Sequence, residues 1–350
     1  MKPVCKSLIF CCLYITIAFT ANAQTQWSSP EVEQMYRNAI KYREMGNLKD
    51  AITTYKQMLR LEPGKVVINR ELGEAYYLSF DYKNAEETLK PILEKQPSPE
   101  LFDLVAASQI ALQHFKDARH TINEGLSKYP NSGKLYHQSG IIYNLEKKQG
   151  DALMEWKKGI QHEPAFSLNY YEVAQFLTAN QNYFAGLLCN ELFINLEQKD
   201  TIKIIEAKKS LLTGYKALFD AIANETTHNK RKKHISFFRF EDSAMSILLK
   251  LSPVISDGIT TENLVMLRTR FLMEWFGATH IKYPFSLFTY QNDLIINGWF
   301  DIYNEWLFGK AEDELQYESW SRFHTGAIDS FINWHKANSL IPLQLLLSTD

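Results

Sequence analysis

Gly46-Asn47-Leu48-Lys49-Asp50-Ala51, Asp81-Tyr82-Lys83-Asn84-Ala85, His114-Phe115-Lys116-Asp117-Ala118 and Gln149-Gly150-Asp151-Ala152 each run on to a proline, at Pro63, Pro97, Pro130 and Pro164. The alanines at 51, 85, 118 and 152 are spaced 34, 33 and 34 residues apart, and the prolines repeat those spacings. Four residues after each alanine stands a bulky residue: Tyr55, Leu89, Ile122 and Trp156. Residues four apart share a helix face, so alanine and bulky residue point the same way. Proline cannot continue a helix and disfavours helix in the residue before it. A fixed period of this length marks a stacked array of small units, none of which buries its apolar face alone.

The preceding halves also agree. Leu72-Gly73 with Tyr76, and Ser139-Gly140 with Tyr143, put a small residue three before an aromatic. These residues resemble the tetratricopeptide repeat over about residues 30–198. The resemblance implies an all-α fold, a right-handed α-solenoid of helical hairpins in which a small residue on each helix admits the other. A fifth unit from Ser167 keeps Ala174, Leu177 and Tyr183 but has Gly186 and Gln198 in place of alanine and proline. Asn38 is placed at an apolar core position of unit one, and Gln109 replaces an aromatic in unit three. Thr201 to Ala223 reads as a capping helix with Ile202, Ile205, Leu212, Tyr215, Leu218, Phe219 and Ile222 near the helical period.

The resemblance also implies a binding face. In such arrays the first helix of each unit lines a concave groove. The register puts Tyr36, Arg43, Arg70, Glu74, Tyr77, His137, Asn144 and Tyr171 there. Aromatic, cationic and amide groups together suit a protein or peptide segment laid in the groove. Tyr36 and Ile40 stand where the family's carboxylate-clamp subclass carries Lys and Asn, which argues against that specific activity.

Outward from the repeats, residues 1–23 read as an export signal. Lys2 and Lys6 precede an uncharged stretch of 14 residues, Ser7 to Thr20, and Ala21-Asn22-Ala23 offers a cleavage site after Ala23. The stretch is short for a membrane span, which needs about 20 apolar residues. No small-residue lipobox precedes Cys5, Cys11 or Cys12. The mature chain of 327 residues carries 36 Lys plus Arg against 40 Asp plus Glu, about −4, and keeps only Cys189. A lone cysteine makes no internal disulfide, so the fold rests on its core. The acidic balance and export both argue against a nucleic-acid partner. The expected place is the periplasm, with no transmembrane span in the mature chain.

Residues 24–223 therefore read as solenoid with capping helix, 224–234 as a basic linker, and 235–350 as a separate helical domain. Lys230-Arg231-Lys232-Lys233 suits weak contact with an anionic surface. The final 116 residues lose the period and hold 20 aromatics. Helices are expected over Glu241–Leu251, Glu262–Phe276 with Gly277 as cap, Gln291–Phe308 ended by Gly309, and Ala311–Lys336. Trp275, Trp299, Trp306, Trp320 and Trp334 allow a second reading, a glycan-binding or glycan-processing domain. Helical core spacing favours packing instead.

No phosphate loop, nucleophile elbow or His-Glu-x-x-His is present in the sequence. His324 and His335, three turns apart on a continuous helix, would lie about 16 Å apart and could not share a metal. No catalytic residue, cofactor or metal is expected. The chain reads as a non-catalytic scaffold or adaptor of the bacterial cell envelope.

Overall fold

The computed structural model describes residues 27–197, 199–228 and 236–342. The signal segment, its cleavage site and Lys230-Arg231-Lys232-Lys233 lie outside them. The described residues are helical throughout and contain no strand. The chain divides between Ser79 and Phe80 into two compact units.

The first unit holds α1 (Pro30–Glu44), α2 (Leu48–Leu61) and α3 (Val66–Leu78). Ser29 caps α1, its hydroxyl accepting from Val32 N, with Pro30 at the first helical position. Ala39, Ala51, Tyr55, Met58 and Ile68 are fully buried where these helices meet. Asn38 is exposed and Ala39 takes the core position beside it, a correction of one residue in the register.

The second unit has helices of similar length in succession. They are α4 (Tyr82–Lys95), α5 (Pro99–Ala111), α6 (Phe115–Lys128), α7 (Gly133–Leu145), α8 (Gln149–His162), α9 (Ser167–Ala179) and α10 (Tyr183–Leu196). Helices α2, α4, α6 and α8 stop at Leu61, Lys95, Lys128 and His162, each just ahead of its proline. Close approach is achieved as the small residues imply. A Cβ on Gly140 of α7 would lie 2.2 Å from Trp156 Nε1 of α8. Ala106 and Ala174 occupy the position of Gly140 in their own helices and are fully buried. The first helices α5, α7 and α9 also touch in succession.

One regularity was not read from the sequence. The turn after each of α1, α3, α5, α7 and α9 contains one left-handed residue. It is Gly46 (φ 75°) in unit one, then Phe80, Gln113, Lys147 and Gln181 with φ of 63°, 61°, 62° and 64°. Only glycine adopts this region freely, so four of the five turns carry backbone strain.

α11 (Thr201–His228) follows, longer than the reading to Ala223. Where earlier first helices carry Gly or Ala, α11 carries Lys208, 34 residues after Ala174. Among the described residues no second helix of a sixth hairpin closes on it. The place is taken by Trp306: Lys208 Nζ donates to Trp306 O at 2.7 Å and sits 3.6 Å from the indole centroid. Burial pushes the Lys208 amine down to about 7, against the pull of the indole face, which favours the charged form.

The remaining helices are α12 (Glu241–Leu251), α13 (Thr261–Ala278), α14 (Ser286–Ile296), α15 (Phe300–Asn304), α16 (Lys310–Glu312), α17 (Glu314–Phe323) and α18 (Thr325–Ala337). Three expectations need correction. Gly277 lies inside α13, and Thr279 is its cap. The helix expected over Gln291–Phe308 breaks at Gly298, whose φ of 74° ends α14. Past α15 the chain forms a π-helical turn, Glu305–Gly309, instead of stopping at Gly309. The helix expected over Ala311–Lys336 is cut at Asp313, whose side chain caps α17, and at His324. A continuous core runs from Ala152 through Trp275 and Phe308 to Leu340, so the aromatic-rich half and the last repeats share one interior.

Candidate functional site

The eight residues assigned to the groove fall in both units. In the first, α1 supplies Tyr36 and Arg43, and α3 supplies Arg70, Glu74 and Tyr77. They converge on Glu71, a residue missed from the sequence. Arg43 Nη1 donates to Glu71 Oε2 and Glu74 Oε2, both at 2.6 Å. The Tyr36 hydroxyl donates to Glu71, and Arg70 Nη2 lies 3.7 Å from Glu71 Oε1. Burial raises the Glu71 carboxyl above its ordinary range even with Arg43 pulling it down. Trp27 packs on the Tyr36 ring at 4.6 Å between centroids. Arg43, Glu74 and Tyr36 are thus engaged within the unit, whereas Arg70 is exposed.

In the second unit, α7 supplies His137 and Asn144, and α9 supplies Tyr171. Here too most are paired. Gln138 Nε2 donates to Asp103 Oδ1 at 2.7 Å. His137 Nε2 faces Glu172 Oε1 at 3.5 Å. Tyr171 donates to Glu206 Oε2 at 3.1 Å, and burial followed by that bond pushes its phenol up to about 12. Asn144 is exposed at the end of α7.

These pairs obey one rule. Tyr36 with Glu71, Asp103 with Gln138, His137 with Glu172, and Tyr171 with Glu206 are each 35 residues apart. That is one repeat plus one residue, the step that joins the faces of neighbouring first helices. The groove residues form polar rungs.

A second polar centre lies in the core beyond the groove. Arg268 of α13 donates to Glu191 of α10 and to Asn304 of α15. Glu191 Oε1 also accepts from Gln291 Nε2 at 2.7 Å and Tyr303 OH at 2.8 Å. Glu191 is 1% exposed and Arg268 4% exposed. An adjoining cavity of about 30 Å³ is lined by Glu191, Arg268, Gln291 and apolar side chains including Phe184, Leu248 and Phe271. It has room for about one water. Glu191 is the one carboxylate in that lining, and it is bound to Arg268. Trp275 is fully buried, and Trp299, Trp306, Trp320 and Trp334 are half-buried. Trp275, Trp299, Trp306 and Trp334 pack in or against the core, whereas Trp320 stacks between Tyr317 and His324 outside it.

Among the described residues no helix is long and apolar enough to cross a membrane, and no group of three or more His, Cys, Asp or Glu is placed to hold a metal ion.

Residues 42–108 match the family model described as tetratricopeptide repeat, and the chain carries such repeats there. Similar solved structures include a thermophilic TPR protein of Thermus thermophilus (16% identity, 52% of this chain and 99% of that one, TM-score 0.44). PilW, a widely conserved type IV pilus biogenesis factor, is 13% identical over 59% of this chain and 97% of its own, at a TM-score of 0.43. PilF of Pseudomonas aeruginosa is 13% identical over 56% of this chain and 91% of its own, at a TM-score of 0.42.

Proposed function

We propose that the protein is a non-catalytic scaffold or adaptor of the bacterial cell envelope that holds a protein segment against its first-helix face. The observation that carries this reading is the repeat itself. A family match at residues 42–108 coincides with hairpins whose first helices present polar side chains at every period. The envelope address rests on the signal-like residues 1–23. Arg70 and Asn144, exposed on that face, are the side chains most available to a partner. Arg43, Tyr36, His137 and Tyr171 shape the face through their rungs.

The test is affinity capture from envelope extracts with wild type, Arg70→Glu and Tyr77→Ala, with partners quantified by mass spectrometry. Loss of the same partner from both variants is expected. Equal recovery of every partner by all three proteins would refute the groove assignment.

A further inference from the structure

Asp103, Glu172 and Glu206 stand on α5, α9 and α11 of the second unit, on the face that α7 completes. Each is met by a side chain that carries no fixed charge: Gln138, His137 and Tyr171. Other carboxylates nearby are neutralised. Lys134 lies 3.6 Å from Glu100, and Lys203 donates to Asp200 at 2.7 Å. Arg43 does the same for Glu71 and Glu74 in the first unit. The second-unit rungs thus leave three carboxylates in a row with no lysine or arginine ion pair among the described residues. Burial raises the Asp103 carboxyl above its ordinary range, against the Gln138 hydrogen bond and the more distant Lys134, which favour its charged form.

The middle rung is incomplete as well. His137 is 8% exposed, and no hydrogen bond reaches its buried Nε2. Buried polar atoms normally have a partner. Nε2 lies 3.5 Å from Glu172 Oε1 with no hydrogen bond between them. A donor seated at Glu172 is within reach of both atoms. An ammonium or guanidinium bound to Glu172 has further N–H groups to give.

Spacing completes the match. Packed helices lie about 8–10 Å apart, and an extended chain advances about 3.3 Å per residue. Neighbouring first helices therefore stand about three residues of an extended segment apart, so Glu172 and Glu206 meet residues about three apart, and Asp103, two helices before Glu172, meets one about six away. We propose that this face binds an extended, positively charged protein segment, its lysine or arginine side chains received in turn by Asp103, Glu172 and Glu206. The proposal rests on the groove reading above and specifies the chemistry of the partner.

The test is fluorescence anisotropy with three labelled peptides of equal length, repeats of Lys-Gly-Gly, Ser-Gly-Gly and Glu-Gly-Gly. Each is titrated with wild type, with Asp103→Asn/Glu172→Gln/Glu206→Gln, and with a control triple on the second helices, Asp117→Asn/Glu124→Gln/Asp151→Asn. Lys-Gly-Gly should bind wild type best and weaken with added salt. The groove triple should bind it about tenfold more weakly, each half-exposed ion pair contributing a factor of about two to five. The control triple should bind as wild type does. Matching thermal melts license the comparison, and the single variant Glu206→Gln, at an exposed position, replaces the triple if the triple unfolds early. Equal losses in the two triples, or none in the groove triple, would overturn the proposal by showing only diffuse attraction to an acidic protein. If that happens while Arg70→Glu still loses its captured partner, the basic segment is wrong and the groove reading stands. If no peptide binds and capture is also unchanged, both fall.

Discussion

Replacing Arg268 by methionine should cost the second unit about 3 kcal/mol. The side chain is 4% exposed and its partner Glu191 is 1% exposed. Removing one member of a buried pair leaves the other charge uncompensated, typically at about 3–5 kcal/mol. The lower end applies because Glu191 keeps the Gln291 and Tyr303 hydrogen bonds at 2.7 and 2.8 Å. For a unit of this size, about 3 kcal/mol lowers the midpoint by about 6–12 °C. Thermal unfolding followed by tryptophan fluorescence reports it, since Trp275 and Trp306 belong to the same core. The double variant Glu191→Met/Arg268→Met removes both charges and should be more stable than Arg268→Met alone, because buried pairs barely exceed their apolar replacements in stability. An Arg268→Met midpoint within about 2 °C of wild type, below the shift of about 2–4 °C that a single kcal/mol produces, would refute the buried pair. So would a double variant less stable than the single one, and with the pair would go the docking of α13 and α15 on the last repeat.

Three further outcomes follow from the geometry. Gln113→Gly, Lys147→Gly and Gln181→Gly should each stabilise by about 1 kcal/mol by relieving a left-handed turn, and a denaturant midpoint that falls in all three would contradict the strain. Gly140→Val must push against Trp156, where a Cβ finds 2.2 Å, and should destabilise by about 1–3 kcal/mol or more; an unchanged melt would show that the helices part without penalty. Burial raises the Glu241 carboxyl to about 7, although the Phe238 and Phe237 N–H groups and Asn182 donate to it. A carboxyl raised in the folded state contributes stability that is complete below about pH 4.5 and is lost as pH rises through about 7, up to about 3 kcal/mol. Glu241→Gln should flatten that part of the stability–pH curve, and a slope equal to wild type between those limits would count against it.

The repeats were legible because their signals are local and periodic. Alanine, bulky residue and proline recur on one chain segment, and Gly140 with Trp156 shows the packing they announce. The exposed or paired state of the groove residues was harder to see. It depends on the step of 35 residues, which becomes informative once neighbouring first helices are known to pack. Tyr36 with Glu71 and His137 with Glu172 could have been found by searching polar pairs at that step, and Glu71 would have joined the site. The aromatic half misled at its breaks. Gly298 sits inside an apolar stripe that continues on either side, and Asp313 and His324 end helices through capping and backbone geometry that periodicity does not register. Arg268 and Glu191, 77 residues apart, carry no local signal at all.

The central claim is that the first-helix face is where a partner segment lies. Photo-crosslinking in cells tests it most directly. A photoreactive residue is placed singly at Arg70, Asp103, Asn144 and Glu206, and for comparison at Lys56, Glu124 and Met154 on second helices. The account predicts that the same partner is captured from the first-helix positions and not from the others. Capture of that partner from the second-helix positions alone would contradict it.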